Sequence, residues 1–420
     1  MERRNFLQRL SLAAAPYLAP GLSMALLERI QTYSHKVNSV EDEEFWRLVR
    51  QAYTVSPGLI NLNNAGLSPQ TRKVQEAEIR YIEYANEAPS FYMWRIIDAG
   101  REPVRKQLAR LAGVEADEIA MNRNATEALD TIIFGLDLKK GDEVVLCKQD
   151  YPLMIHAWNQ RAQREGIELK WVDIPDPIED KEVLIKAYTS LFTKKTKILH
   201  LTHQINWTGQ ILPAKELTKL AHARGIKVVL DAAQSFAQMP FSLKELDVDY
   251  AGTSLHKWLG APFGTGMLYV KKDLISALWP LFPTDEPQSD DIRKFENLGT
   301  RSTAAEMAIG HAVEFHEWVG GQRKWDRIQY LKRYWVEKAL DIPGFELHSS
   351  LKPEFGGAIT NFSLKEKDVV NIYARLSREY RIHVSPVIWD GIKGIRATPN
   401  IYTMTEELDR LVEALANLAK

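Results

Sequence analysis

The 420-residue chain has a net charge of −1, and 45% of its residues are hydrophobic while 26% are charged. This balance is typical of a globular protein large enough for two cores, and it gives no electrostatic basis for binding nucleic acid or an anionic membrane. The single cysteine, Cys147, excludes a disulfide scaffold and a cysteine-rich zinc site. Beyond the first 25 residues, no run approaches the ~18 apolar residues of a membrane-spanning helix.

Residues 1–25 differ in composition from the rest of the chain. Arg3 and Arg4 precede a weakly apolar Ala/Leu stretch, which is followed by small residues near Ala25. This order is typical of an export signal, and the paired arginines favour the twin-arginine route, which exports folded proteins with a cofactor already loaded. We therefore predict a periplasmic or otherwise exported protein. The alternative is an amphipathic N-terminal helix of a cytoplasmic enzyme.

An N-terminal helical segment is predicted within residues 26–60, and β-rich apolar runs then alternate with helical stretches. Strand-helix-strand alternation with short connections predicts an α/β domain over residues 61–300, with a mostly parallel sheet covered on both faces. The predicted strands are Glu143–Cys147, Leu169–Ile174, Lys197–Thr202, Lys227–Leu230 and Gly266–Val270. The predicted helices are Ala125–Gly135, Ile155–Glu165, Lys181–Leu191 and Ala214–Arg224.

A smaller second domain is predicted over residues 301–420. The polar, proline-containing segment Phe282–Asn297 interrupts the alternation, and a long helical region, Ala304–Ala339, precedes a strand-helix-strand tail. The final helix has a capping-box signature, Thr403 with Glu406 three residues later. These features predict a separate, smaller α+β unit at the C-terminus.

The stretch NRNATEAL, Asn122–Leu129, predicts the start of a helix with Asn124 as its cap. A helix start offers unpaired N–H donors and a partial positive charge, and both suit a phosphate group. Alone, the pattern is more typical of an ordinary helix cap. Its significance comes from two residues further along the chain.

The first of these is Asp231, which directly follows the apolar run Val228–Leu230. That position is the carboxyl end of a predicted strand, where open α/β sheets bind ligands. A buried carboxylate needs a cation or several donors, and the protonated nitrogen of a pyridine ring would meet this need. Gln234, three residues on, could reach a hydroxyl of the same ring. The alternative is an aspartate that caps the following turn.

The second is Lys257, which lies in SLHKWLGAPFGTG after Ser254 and His256 and before a glycine-rich turn. A surface charge is a poor explanation of a lysine in this setting, whereas its amine could form a Schiff base with an aldehyde cofactor. Such an amine must be partly desolvated, so that it is neutral often enough to attack. Ser254 and His256 could contribute to the phosphate site.

His200 and His203 form an HxxH pair, but no HExxH motif or carboxylate–histidine cluster accompanies it. Metal ligation is one interpretation of the pair, and packing on a strand is the other. We favour packing and expect no metal site.

Taken together, these motifs resemble those of the pyridoxal 5′-phosphate (PLP) enzymes of fold type I, in the class V aminotransferase family. Within that family the sequence resembles the isopenicillin N epimerase-like and cysteine desulfurase-like branches. The likeness extends from about Asn61 to the C-terminus, and its most specific part is the pair DxxQ and SxHK. Other matches are NLNNAGLSP, NATEAL, HQINWTG, NLGTRS and IRATPNIYTMTEELDRL. The resemblance implies a mostly parallel seven-stranded-type sheet in a large domain, a small C-terminal α+β domain, and PLP as the cofactor.

The same resemblance implies roles for individual residues. Lys257 would form the internal aldimine and move the α-proton, and Asp231 would pair with the pyridine nitrogen. Arg396 would bind the substrate carboxylate, a task suited to a planar bidentate donor. Thr300 would reach the phosphate of a neighbouring subunit, which implies a homodimer with shared active sites. The other implied cofactor contacts are Asn206 and Gln234 at the ring oxygen and Ala125, Thr126, Ser254 and His256 at the phosphate.

Two departures from the family pattern affect the expected chemistry. Tyr151 occupies the ring-stacking position, where histidine or another aromatic residue is usual; tyrosine can stack, but it is a poorer proton carrier. A cysteine desulfurase needs a nucleophilic thiol on a C-terminal loop, whereas Cys147 ends a predicted strand far upstream and residues 299–420 contain no cysteine. Desulfuration by that mechanism is therefore disfavoured.

We expect an enzyme that acts on an α-amino acid through an external aldimine and a quinonoid. The first hypothesis is aminotransferase-like chemistry. The alternatives are an amino-acid epimerase or racemase and a PLP lyase, because the outcome depends on the positions of acid groups. A non-catalytic exported ligand-binding protein is the least favoured hypothesis, since Lys257, Asp231, Gln234 and Arg396 are all retained.

Overall fold

The computed structural model describes residues 40–420. The predicted export signal at residues 1–25 lies outside the described residues. Within residues 40–420, no helix is both long and apolar enough to cross a membrane.

A seven-stranded sheet forms the centre of the fold, in the strand order β2-β8-β7-β6-β5-β3-β4. Six strands run in one direction, and β8 is antiparallel to both of its neighbours. The sheet is therefore mostly parallel, as predicted. Its strands are β2 (Ile119–Asn122), β3 (Glu143–Cys147), β4 (Glu168–Val172), β5 (Thr196–Thr202), β6 (Lys227–Asp231), β7 (Tyr250–Ser254) and β8 (Gly266–Val270).

Helices cover both faces of this sheet, which explains why its central strands are continuous apolar runs. One face packs against α2, α3, α6, α7, α8 and α9, and the other packs against α4 and α5. The helices of this part of the chain are α1 (Glu43–Gln51), α2 (Arg72–Glu87), α3 (Asp98–Ala112), α4 (Ala125–Gly135), α5 (Pro152–Glu165), α6 (Lys181–Thr189), α7 (Ala214–His222), α8 (Leu243–Leu246) and α9 (Thr303–Val319).

A four-stranded antiparallel sheet, in the order β12-β13-β10-β9, forms a second and smaller unit with three helices. The short strand β1 (Ile60–Asn61) pairs in parallel with β11 (Ile382–His383), so the chain before residue 62 also contacts this unit. The other elements are β9 (Phe345–Leu347), β10 (Thr360–Leu364), β12 (Ser385–Trp389), β13 (Ile392–Ala397), α10 (Gly321–Ala339), α11 (Val369–Arg378) and α12 (Thr405–Ala419). The domain boundaries after residues 60 and 300 stay predictions.

The predicted helical region Ala304–Ala339 is helical in the structure, as two helices separated by Gly320, whose φ of +88° breaks the helical path. One local prediction is wrong, because the final helix does not start with Thr403 and Glu406. The Thr403 hydroxyl accepts a hydrogen bond from the Asn400 N–H, while the Met404 N–H donates to Glu407 at 3.0 Å, one residue later in the chain.

Candidate active site

A cavity of about 220 Å³ opens where β5, β6 and β7 end and α4 begins. This edge of the sheet is where parallel α/β folds bind ligands, because the loops diverge there. The predicted site residues that line the cavity are Ala125, Thr126, Tyr151, Asn206, Asp231, Gln234, Ser254, His256 and Lys257. The remaining lining residues are Gly66, Asn124, Leu129, Met154, Thr202, Gln204 and Ala233.

Lys257 lies in the turn after β7, which closes through a hydrogen bond of 3.2 Å from the Gly260 N–H to the Lys257 carbonyl. Gly260 has φ +70°, a conformation that glycine adopts without strain. Enclosure by the protein lowers the pKa of the Lys257 amine to about 8; Asp231 opposes this shift and Arg396 adds to it. The turn thus presents an amine that is substantially neutral near pH 8.

Asp231 ends β6 with only 5% of its surface exposed. Its Oδ1 accepts a hydrogen bond of 2.8 Å from the Ala233 N–H. Burial raises the pKa of this carboxyl, while the Ala233 hydrogen bond and the Lys257 charge lower it. One backbone donor is little compensation for a buried carboxylate, so a cationic partner in the cavity would stabilise its ionised form.

The helix start beside this pair is shaped for a phosphate group. Asn124 caps α4 by accepting from the Glu127 N–H, and the Ala125 N–H donates to the Ser254 hydroxyl at 2.9 Å. A Cβ on Gly266 would lie 2.6 Å from the backbone of Asn124, so only glycine lets β8 approach the helix start this closely. His256 lies at the same cavity and contacts the Thr265 carbonyl through Nδ1 at 3.1 Å.

Gln234 and Asn206 differ in how fully their amides are used. The Gln234 Oε1 accepts from Trp258 Nε1 at 3.0 Å, and its Nε2 donates to the Ala65 carbonyl at 3.0 Å. One N–H of Gln234 remains for a ligand. Asn206 Oδ1 is buried without a hydrogen-bond partner among the described residues, and so is Oε1 of Gln204, which also lines the cavity. Two buried amides with unused oxygens indicate a polar ligand.

Arg396 does not line the cavity, but it lies close enough to affect the Lys257 amine. Its Nη1 donates to the Asn206 carbonyl at 2.9 Å and its Nη2 to Asn63 Oδ1 at 3.0 Å. Burial lowers the pKa of its guanidinium to about 10, which leaves it charged at neutral pH. Its Nε has no partner within residues 40–420. The structure thus holds a buried cation at the edge of the site.

The two remaining predicted residues differ in their positions. Tyr151 precedes α5 on the outer side of the cavity, with 40% of its surface exposed, and the Lys257 Nζ lies 5.9 Å from its ring centre. Thr300 is exposed and borders a different cavity, together with Trp94 and Asp98. The structure therefore does not bring Thr300 to the site of its own chain, and its proposed role needs a second subunit.

His200 and His203 are buried beside aromatic rings. His200 lies edge-on to Trp158 with ring centres 6.1 Å apart, and His203 lies edge-on to Phe241 at 4.7 Å. Burial lowers the pKa of both imidazoles to about 4, so they are uncharged at neutral pH. In the described part of the chain, no group of three His, Cys, Asp or Glu side chains is arranged to hold a metal ion.

Sequence reasoning missed Thr202 and Gln204. Thr202 ends β5 directly beside Asp231 in the neighbouring strand β6. The rule that ligands bind at the carboxyl ends of parallel strands could have identified it, since β5 was predicted to end at this residue. Gln204 carries no comparable signal, because its place at the cavity depends on the fold of the loop after β5.

The residues at the cavity fit PLP. They provide an amine for the aldehyde, a buried carboxylate for the ring nitrogen, a helix start for the phosphate, and two amide oxygens that have no partner within residues 40–420. Each of these features matches one functional group of the cofactor.

The comparisons with known proteins agree with this geometry. Residues 60–410 match the family model described as aminotransferase class-V. The chain is 27% identical over 387 residues to isopenicillin N epimerase of Streptomyces clavuligerus, covering 88% of this chain and 97% of that protein. It is 28% identical over 385 residues to a probable cysteine desulfurase of Synechocystis, covering 85% of this chain and 90% of that protein.

A solved structure supports the fold assignment. The apo cysteine desulfurase from Thermococcus onnurineus NA1 superposes with a TM-score of 0.80 at 22% identity, covering 88% of this chain and 97% of that chain. The similarity confirms fold type I, with its large mostly parallel sheet and smaller antiparallel sheet. This chain therefore belongs to the aminotransferase class-V family of PLP-dependent enzymes.

Proposed function

We propose that this protein uses PLP to act on an α-amino acid, with aminotransferase-like turnover as the first candidate reaction. The observation that carries the proposal is the Lys257 amine, whose pKa is lowered to about 8 by enclosure, in one cavity with the Asp231 carboxylate and next to Arg396. An amine of which a substantial fraction is neutral near physiological pH can serve both as a nucleophile and as a base.

When bound, PLP supplies an aldehyde that condenses with amines and a ring that withdraws electrons from the substrate α-carbon. Asp231 would hold the positive charge of the ring nitrogen, an interaction on the order of 4 kcal/mol at 4 Å and an effective dielectric of 20. Ala125, Thr126, Ser254 and His256 would hold the phosphate group. Lys257 would take the substrate α-proton and return it.

Arg396 would bind the substrate carboxylate, which fixes the α-carbon near Lys257. Its present partners are a backbone carbonyl and the neutral amide oxygen of Asn63, both weaker acceptors than a carboxylate. An incoming carboxylate can therefore displace Asn63 and use the unpaired Nε. This exchange favours ligands with an α-carboxylate over simple amines.

Transamination and epimerisation differ in where the α-proton returns. A single amine on one side of the ring can carry the proton from the α-carbon to the cofactor carbon, which suits a site built around Lys257. Epimerisation needs a proton from the opposite side, where Tyr151 lies on the outer wall. The extended similarity to isopenicillin N epimerase makes an amino-acid epimerase the second candidate.

Desulfuration with a thiol nucleophile is not favoured, although some relatives are cysteine desulfurases. The only cysteine, Cys147, is fully buried at the end of β3, and burial raises the pKa of its thiol well above the usual range. A buried, protonated thiol is a poor nucleophile. β-Elimination without a thiol remains a third possible reaction.

The reaction is tested with purified protein loaded with PLP and a panel of D- and L-amino acids in D₂O, with and without 2-oxo acids. Transamination predicts 2-oxo acid formation that depends on an acceptor 2-oxo acid. Epimerisation predicts inversion with deuterium at the α-carbon and no acceptor requirement. The absence of both, with PLP bound, would contradict the two candidates and leave elimination or ligand binding.

The role of Lys257 is tested with two variants. Lys257→Ala removes the amine, and Lys257→Arg keeps the positive charge without the nucleophile. We expect both to lose the yellow lysine-linked chromophore and the adduct that borohydride reduction leaves on residue 257. The exposed Lys272→Ala is the control and keeps both. A lysine-linked adduct in the Arg variant would show that another amine holds the cofactor.

We also propose that the enzyme is a homodimer in which Thr300 completes the site of the partner subunit, and that the N-terminal signal exports it. Mixing equal amounts of Lys257→Ala and Thr300→Ala subunits would restore about a quarter of the activity if the sites are shared, since half of the dimers are then mixed and each mixed dimer carries one intact site. Replacing Arg3 and Arg4 by lysine should retain the protein in the cytoplasm. Unchanged distribution between compartments would contradict export by the twin-arginine route.

A further inference from the structure

A second carboxylate, Asp150, lies behind the cavity wall next to Asp231. Asp150 is fully buried, and its Oδ2 accepts a hydrogen bond of 2.8 Å from the Cys147 N–H. Its Oδ1 accepts one of 2.6 Å from the Thr202 hydroxyl. Thr202 lines the cavity and pairs with Asp231 across β5 and β6. A single hydroxyl therefore connects a hidden carboxylate to the end of the cavity that holds Asp231.

The Thr202 hydroxyl has one proton to donate and lone pairs to accept with. While Asp150 is ionised, the Thr202 hydroxyl donates its proton to Asp150 and can only accept hydrogen bonds from other groups. When Asp150 is protonated, it can donate to the Thr202 hydroxyl, which can then donate its own proton to a different acceptor. The protonation of Asp150 thus changes both the local charge and the hydrogen bond that Thr202 can make.

Both protonation states of Asp150 are accessible. Burial, together with the Asp231 charge, raises the pKa of the Asp150 carboxyl to about 7 against the opposing hydrogen bonds from Thr202 and Cys147. The other titratable groups that face Asp150 are the Cys147 thiol and the Tyr188 phenol. Burial raises the pKa of both, so they are uncharged at neutral pH. Asp231 is the charged neighbour to which Asp150 responds.

We propose that Asp150 is a positioning residue which, through the Thr202 hydroxyl, sets the electrostatic field at the Asp231 end of the site and so tunes the nitrogen of Lys257 when the cofactor is bound. This inference rests on the proposed PLP function. An ionised Asp150 adds negative charge behind Asp231, which stabilises protonated nitrogens in the cavity. Loss of that charge releases their protons at lower pH.

The test is the pH midpoint of the visible absorbance of the PLP-loaded protein, which reports the protonation of the Lys257 nitrogen. Asp150→Asn keeps the shape and removes the charge, so we expect the midpoint to fall by about 0.5 to 1 pH unit. Thr202→Val removes the donor that stabilises ionised Asp150, so we expect a fall in the same direction. The double variant should fall no further than Asp150→Asn, because both changes act through one hydrogen bond.

Two controls separate this role from a general loss of structure. Thr202→Ser retains the hydroxyl, so its midpoint should match the wild-type value. Asp249→Asn removes another buried carboxylate, which binds the Val228 N–H away from the cavity, and it should also leave the midpoint unchanged.

Three results would overturn the inference. Midpoints of Asp150→Asn and Thr202→Val within 0.2 pH unit of wild type would overturn it while leaving the PLP function intact. A Thr202→Ser midpoint that follows Thr202→Val would show that packing, and not the hydroxyl, is responsible. Wild-type protein that stays colourless with PLP would overturn both this inference and the proposed function. If Asp150→Asn does not fold, Thr202→Val and Thr202→Ser decide the outcome.

Discussion

Two opposite charges, Asp231 and Arg396, act on the Lys257 amine, and their effects on its pKa have opposite signs. Desolvation lowers this pKa to about 8, the Asp231 carboxylate raises it, and the Arg396 guanidinium lowers it. At pH 7.5 about a quarter of amines with a pKa of 8 are neutral, against about one in a thousand for an ordinary lysine. We predict that Asp231→Asn lowers the pKa of Lys257 further and that Arg396→Gln raises it.

The assay is competitive labelling of the cofactor-free protein with acetic anhydride from pH 6 to 11, followed by mass spectrometry of the Lys257 peptide. We expect the Lys257 midpoint to fall by about one unit in Asp231→Asn and to rise by about 0.5 to 1 unit in Arg396→Gln. A one-unit shift corresponds to ~1.4 kcal/mol between the two protonation states. Lys272, which is half-exposed and does not line the cavity, serves as the internal control in every sample.

The two variants also separate charge from packing. If lost packing opens the cavity to water, the pKa of Lys257 should rise in both variants, because the desolvation that lowers it is relieved. Shifts of the same sign in both would therefore refute the electrostatic account. Asp231→Asn has a second consequence. The Lys257 amine becomes more reactive at pH 7, while the affinity for PLP falls because the ring nitrogen loses its partner.

Three further predictions concern stability, each measured by urea denaturation. Glu296→Gln should cost up to about 3–5 kcal/mol, because it removes the buried counter-ion that lies 2.6 Å from the Arg105 guanidinium and leaves only the more exposed Glu102 at 3.2 Å. Trp258→Phe should cost about 1–3 kcal/mol by leaving Gln234 Oε1 without its donor, and an unchanged midpoint would count against that hydrogen bond. The folded-state pKa of Asp150, about 7, exceeds its ordinary value of 3.8. The stability that this carboxyl contributes is therefore fully present below pH 3.8 and is lost as the pH rises through 7. Asp150→Asn should remove a few kcal/mol of this decline in the free energy of unfolding, and a wild-type pH slope in the variant would contradict the assignment.

Much of the sheet could be predicted because its strands are buried on both faces. The predicted strand Glu143–Cys147 and the predicted helix Ala125–Gly135 match the structure at both ends. Strands β2 and β7 were missed. In β7 (YAGTS) the run is short and includes glycine, so its burial comes from neighbouring strands and not from its own composition.

Some residues of the candidate site could likewise be predicted from the sequence, and others could not. Asp231 and Lys257 could be identified because each is marked locally, by a preceding apolar strand and by a following glycine-rich turn. The contact between Arg396 and Asn63 joins residues 333 positions apart, and no local pattern specifies it. The position of Asp150 is likewise set by packing between β3 and β5.

The sequence alone determined the class of chemistry, since an amine, a strand-end carboxylate and a capped helix are each encoded by a few adjacent residues. Only the tertiary structure decided their protonation and partners. Desolvation and charge–charge coupling depend on which groups the fold encloses together, and Lys257, Asp231 and Asp150 acquire their shifted pKa values only when three separate segments meet at one edge of the sheet.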